Sequence, residues 1–325
     1  MKKNHDCLLA GMLTLSGLLG GCGSKSAQKA QEYKELGITQ MEQGEYETAT
    51  ESFQKGLDQS MGKVGAQEVD LCYYKALSQF KSGDMEGAIE TYTALIEYDK
   101  KNWEAYYLRG SAYLQEEQEK KALADYEKAV SLNEKDIALY THIYESLVTA
   151  GLGEQGEGYI TQAMKLKVSS AEDYANLGYL YFLKEDYENA QKNLQKSVEE
   201  GNDAALLRLG QVYARKNETD QAKSCFEKYM EKYPEDVQAM QQLGEMAMNL
   251  EEYADAVGYF EKALELAEKK ETQNIWRNLI AACEYSGDFE RAYKEAGSYL
   301  RDYPKDESMT KEYEFLKTRI SGKEE

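Results

Sequence analysis

A pattern of small and large residues returns about every 34 positions along this chain, eight times over. The clearest copies carry Tyr33, Leu36 and Gly37 followed by Ala49 and Phe53; Tyr106, Gly110 and Tyr113 followed by Ala122, Tyr126 and Ala129; and Tyr174, Leu177, Gly178 and Tyr181 followed by Ala190 and Leu194. A fixed period of this length excludes a single globular core. Each copy is one supersecondary unit that buries its apolar face only against its neighbours, so the chain is expected to stack as a solenoid. Only two prolines occur, and helix can therefore run through almost all of it.

The units begin near Ala30, Val69, Trp103, Ile137, Ala171, Asp203, Val237 and Gln273, in steps of 39, 34, 34, 34, 32, 34 and 36 residues. Position eight of a unit is small (Gly37, Ala76, Gly110, Gly178, Gly210, Gly244), and so is position twenty (Ala49, Ala88, Ala122, Gly156, Ala190, Ala222, Ala256, Ala292). Small residues there let two helices approach closely. Large residues four positions later (Phe53, Tyr92, Tyr126, Ile160, Leu194, Phe226, Phe260) are expected to fill the space between units. Tyr144, Ile280 and Ala296 depart from the pattern. Gly44, Gly83, Gly151 and Gly287 fall at the turn between the helices of a unit, where positive φ is needed. Both prolines, Pro234 and Pro304, occupy the end of a second helix.

These spacings resemble the tetratricopeptide repeat over residues 30–304. The resemblance implies an all-α, right-handed superhelical α-solenoid of about eight antiparallel helix pairs. Residues 305–325 are expected to add a C-terminal capping helix. Met309, Tyr313, Leu316 and Ile320 share one face there, with Asp306 or Ser308 as the cap.

Residues 1–21 read as a signal peptide: Lys2 and Lys3, an apolar stretch from Cys7 to Leu19, then small residues. The sequence Leu19-Gly20-Gly21-Cys22 resembles the lipobox of bacterial lipoproteins. In that family the cysteine is acylated and becomes residue one, which implies a lipid-anchored protein on the extracytoplasmic face of a bacterial membrane. Residues 22–29 are then the lipidated Cys22 and a short polar tether reaching roughly 25 Å from the bilayer.

The formal charge is −20 and the signal segment carries +1, so the processed chain would carry −21. Such a chain repels phosphate backbones, and nucleic acid is a poor partner. Catalytic and metal-binding motifs are not evident. Gly151-Leu152-Gly153-Glu154-Gln155-Gly156 matches a dinucleotide fingerprint in letters, but it lies at a helix–helix turn without the strand that motif requires. Its glycines weaken helix propensity, so the fourth unit is expected to act as a flexible joint. His142 is the one histidine left after processing. Cys72, Cys225 and Cys283 lie in different units without metal-ligand spacing, and Cys283 is expected to be core. Neither cofactor nor metal is therefore expected.

In this repeat family the first helices line the concave surface, which assigns candidate groove contacts to Tyr73, Leu77, Phe80, Tyr107, Leu114, Tyr179, Phe182 and Leu183. Arg208, Arg215 and Arg277 add positive points for a carboxylate or an acidic peptide. The subclass of these repeats that clamps a C-terminal carboxylate is matched only at Lys34. Ile38, Leu77, Glu104 and Leu108 occupy its other positions. The expected function is a membrane-anchored scaffold or adaptor that binds a partner protein or peptide through its groove. The alternative is an envelope protein that captures a peptide or small solute without catalysis.

Overall fold

A computed structural model describes residues 25–60, 64–267 and 272–321 of the chain. Among them the structure is all-helical. The chain forms two compact units, the first ending at Lys167 and the second beginning at Val168. The first holds four helix pairs: α1 (Lys25–Glu42) with α2 (Tyr46–Leu57), α3 (Ala66–Ser82) with α4 (Met85–Tyr98), α5 (Trp103–Gln115) with α6 (Glu119–Leu132), and α7 (Ile137–Thr149) with α8 (Gly153–Ala163). The second holds four more: α9 (Ala171–Leu183) with α10 (Tyr187–Glu199), α11 (Ala205–Arg215) with α12 (Thr219–Lys232), α13 (Val237–Asn249) with α14 (Tyr253–Leu266), and α15 (Thr272–Tyr285) with α16 (Phe289–Asp302). The final helix α17 (Glu307–Ser321) packs on α16.

The small and large positions of the repeat meet inside each pair, rather than between pairs. A Cβ built on Gly37 would lie 2.4 Å from the Phe53 ring; on Gly110, 2.8 Å from Tyr126; on Gly210, 2.6 Å from Phe226; on Gly244, 2.6 Å from Phe260. The ring lies where a side chain would have to be, which is why the position is Gly. The three departures from the pattern follow the same steric rule. Tyr144 is large at position eight, and its ring occupies the space beside Gly156, where a Cβ would come within 2.7 Å. Ile280 is large at position eight, and the residue sixteen later, Ala296, is small; both are at most 1% exposed in one core. Ile280 and Ala296 exchange the bulk between the two helices, whereas Tyr144 fills the space beside Gly156 while Ile160 stays large and buried.

Every intra-pair turn contains one residue with positive φ. Four are the expected glycines, Gly44, Gly83, Gly151 and Gly287, at 76° to 89°. The other four are Glu117, Glu185, Asn217 and Glu251, at 56° to 62°. All eight close the same hydrogen-bond pattern: Glu252 N donates to Ala247 O at 2.8 Å and Glu251 N to Met248 O at 3.1 Å, as Glu45 N does to Gln40 O and Gly44 N to Met41 O. The non-glycine residues adopt the left-handed conformation at a cost of about 1–2 kcal/mol each, which the flanking packed helices override. The starts of seven of these paired helices are held by a side-chain cap. Asp84, Asn102, Asp136, Ser170, Asp186, Asp236 and Asp288 each accept from the backbone N–H three residues on.

At the amino end, α1 already covers residues 25–29, which were expected to be extended tether. Gln67 Nε2 of α3 donates to Ala27 O at 3.1 Å, so tertiary contact extends this helix ahead of the repeat. At the carboxyl end, Met309 and Leu316 are buried, as the amphipathic pattern requires, and Tyr313 stacks on Tyr293 with centroids 4.4 Å apart. Of the two cap candidates, Asp306 is the one used: its Oδ1 accepts from Ser308 N and Met309 N at 3.1 Å. Its Oδ2 accepts from Tyr299 Oη at 2.5 Å and from the Arg277 guanidinium.

Two outcomes are expected. Gly210→Val should lower stability by about 1–3 kcal/mol more than Ala214→Val, one helical turn away at an exposed position near the helix end, because only the first collides with the Phe226 ring; urea unfolding of both variants measures this. The hydrogen bonds from Tyr299 and Arg277 hold the Asp306 carboxyl well below the usual carboxylate range. Its stabilising contribution is therefore complete above the unfolded value near pH 4 and is lost as pH falls below it. Asp306→Asn should flatten the dependence of the unfolding midpoint on pH between about pH 5 and 3.

Candidate functional site

In the first unit, the faces of α3 and α5 and the end of α4 enclose a cavity of about 470 Å3. Val69, Tyr73 and Leu77 of α3 form one wall, Glu104 and Leu108 of α5 another, and Tyr92 and Tyr98 of α4 close it. Gly65, Ala66 and Asp70 line its remaining edge. Helical spacing explains the wall. Residues 66, 69, 73 and 77 recur every three or four positions and so share one stripe of α3. The volume lies in the range of pockets that take a small ligand or one large side chain.

Polar groups sit at defined places around this apolar space. Tyr73 Oη donates to Asn102 Oδ1, the cap of α5, at 2.6 Å. Burial and the neighbouring Glu104 carboxylate push the Tyr73 hydroxyl above its ordinary value. Burial likewise raises the half-buried Glu104 carboxyl, opposed by its hydrogen bond with Tyr73 and reinforced by the charge of Asp136. Asp70 is paired with Lys34, whose side chain is 9% exposed and lies 5.2 Å from the Tyr74 ring centroid. Lys34, the one match to the carboxylate-clamp positions, is therefore consumed by a structural ion pair.

The residues named from sequence divide sharply. Tyr73 and Leu77 line the cavity together. Phe80 and Leu114 are partly exposed on α3 and α5 outside its lining. Tyr107 is not a groove residue. It is 2% exposed and stacks on Tyr126 with centroids 5.8 Å apart. In the second unit, Tyr179, Phe182 and Leu183 are partly exposed on α9, with Tyr179 and Phe182 stacked at 6.3 Å. Arg208 lies over the Tyr179 ring, 3.3 Å from guanidinium carbon to centroid, and its Nη1 is buried without a hydrogen-bond partner among the described residues. Arg215 is exposed at the end of α11. Arg277 is spent on Asp306 and Tyr299, so it serves the terminal helix.

The first unit has a second, wider concavity of about 770 Å3 on its other helices, between Leu123, Glu127 and Val130 of α6 and Gln155, Tyr159 and Gln162 of α8. Sequence reasoning looked only at first helices and missed it. It also missed Tyr98 and Glu104 as cavity residues: the first belongs to a second helix, and the second counted only as a failed clamp position. The thiols are packing groups. Burial pushes Cys225 up to about 11 and Cys283 up to about 12, far from a reactive thiolate. His142 lies beside Glu145 at 3.4 Å. The Gly151–Gly156 sequence is the turn into α8, with Gly151 at φ 79°.

Tetratricopeptide-repeat family models match residues 73–137, 207–271 and 172–200. No curated protein matches the sequence. Among solved structures the chain resembles the APC/C hetero-tetramer Cut9–Hcn1, with a TM-score of 0.54 at 15% identity, over 83% of this chain and 52% of that one. It thus spans about half the length of that chain. It also resembles a tetratricopeptide repeat protein from Parabacteroides merdae (TM-score 0.53, 17% identity, 78% and 99% of the two chains). A third similar structure is that of pilF from Pseudomonas aeruginosa (TM-score 0.50, 18% identity, 68% and 98%). Identities this low establish shared architecture, and with the matched repeats they show an all-α chain of stacked tetratricopeptide repeats.

Proposed function

We propose that the protein is a membrane-anchored, extracytoplasmic scaffold that docks a partner protein or peptide and performs no chemistry of its own. The observation that carries the docking reading is the apolar, tyrosine-lined cavity between α3, α4 and α5, which opens beside the 59%-exposed Tyr98. Exposed aromatic groups around a preformed pocket are the kind of feature that anchors a binding partner. One of the similar structures, Cut9–Hcn1, is itself a hetero-tetramer, which is consistent with docking of a different chain. The size of the cavity also favours the second reading, capture of a peptide side chain or small solute.

The anchoring reading rests on the lipobox alone. Cys22 lies outside the described residues, and no helix among those described is long and apolar enough to cross a membrane. An acyl chain contributes about 0.8 kcal/mol per buried methylene, so two or three chains hold a protein firmly.

Two experiments test these readings. Cys22→Ser should move the protein from the membrane fraction to the soluble fraction; retention in the membrane would refute lipid anchoring. Crosslinking in cells, followed by mass spectrometry, should recover a partner from the wild-type chain. The Tyr73→Ser/Tyr98→Ser variant should recover at least about tenfold less, as expected for removal of two aromatic anchors. Tyr107→Ser is the wrong probe, since it opens a core cavity. An unchanged yield from the double variant would remove the α3–α5 cavity from the docking surface.

A further inference from the structure

The charged residues that line the α3–α5 cavity are both carboxylates, Asp70, which is paired with Lys34, and Glu104. Glu104 lines the cavity and forms no ion pair among the described residues. The Tyr73 hydroxyl is its polar neighbour, and the next charge acting on it is the Asp136 carboxylate. Asp99 adds a further negative charge near Tyr73. Lys34 is engaged with Asp70 at the opposite edge and stacks toward Tyr74, outside the lining. A half-buried carboxylate thus faces an apolar space without a cation, and two tyrosine rings, Tyr73 and the exposed Tyr98, stand beside it. Desolvating a carboxylate without a counter-charge costs free energy. That cost falls when a cation fills the site. The same rings attract a cation through their faces, and the aliphatic walls of Val69, Leu77 and Leu108 suit a methylene stem.

We propose that this cavity takes a cationic side chain on an apolar stem, lysine or arginine, from a basic segment of the docked protein. The inference rests on the docking reading above and specifies the chemistry of the partner at that site. The ammonium or guanidinium group meets Glu104 and the tyrosine rings, and the stem lies along the aliphatic wall. A partner of this kind also suits a chain of formal charge −20, which draws basic segments toward it and repels acidic ones. The cavity selects the side chain, and the overall charge speeds the encounter.

The test uses the full chain in detergent micelles and three capped pentapeptides that alternate leucine with lysine, with norleucine or with glutamate. Binding is read by isothermal titration and by the change in tyrosine fluorescence. The lysine peptide should bind at least about tenfold more tightly than the norleucine peptide, the difference expected for one desolvated charge pair with aromatic contact. The glutamate peptide should not bind. Glu104→Gln keeps the shape of the site and should abolish the preference for lysine over norleucine. Tyr98→Ala, at an exposed position that folding does not require, should weaken the lysine peptide; circular dichroism confirms that both variants are folded. Equal affinity for lysine and norleucine peptides, or a lysine preference that survives Glu104→Gln, overturns the cationic assignment and leaves apolar docking standing. Binding of none of the three peptides also overturns it, while the docking reading is judged separately by the partner recovered through crosslinking.

Discussion

The contact between a side-chain-free backbone and a ring governs this protein. In the pairs closed by Gly37, Gly110, Gly210 and Gly244, the second helix lays a phenylalanine or tyrosine directly on the glycine of the first. The separation of the helices follows from that contact. Because the ring takes the place of the missing Cβ, the interface tolerates large residues on one helix only. Ile280 with Ala296 shows the rule operating in reverse, and Tyr144 fills the space that Gly156 leaves open. What is held constant is the summed bulk at one crossing, and the identity of the residue at any single position follows from it.

Function uses what this constraint leaves over. The glycine–ring contacts are buried, so specificity falls mainly to the ends of helices and to positions between successive first helices. Tyr73, Leu77 and Glu104 occupy such positions, and Tyr98 reaches them from the end of α4. The turns show the same division of labour. Glu117, Glu185, Asn217 and Glu251 accept an unfavourable backbone conformation because the two helices they join are already fixed by packing. The close-packed pairs hold the geometry, and the cavity is a by-product of their stacking that a partner can exploit.

Much of this was readable in advance, and the reason is local. The period, the small residue at position eight and the glycines at four turns each answer a steric demand that acts within one pair, at fixed separation along the chain. The terminal helix was readable too, since an amphipathic stripe depends only on spacing. The assignment of groove residues was less reliable. Tyr73 and Tyr107 stand at the same position of consecutive repeats, yet one lines a cavity and the other is core against Tyr126. Arg277 looked like a groove cation and instead holds Asp306.

The sequence by itself therefore determined the helix pairs, their order and the small positions within each one, because that pattern lies within about 34 residues and repeats often enough to be averaged, whereas the large residues expected between units are placed by the structure inside the pair. Tertiary structure alone decided which first-helix aromatic stays accessible, which basic residue is free, and that Glu104 is left facing an apolar space without a counter-ion. Those outcomes depend on what neighbouring pairs place beside a residue, and a side chain's own position in the repeat carries no record of that.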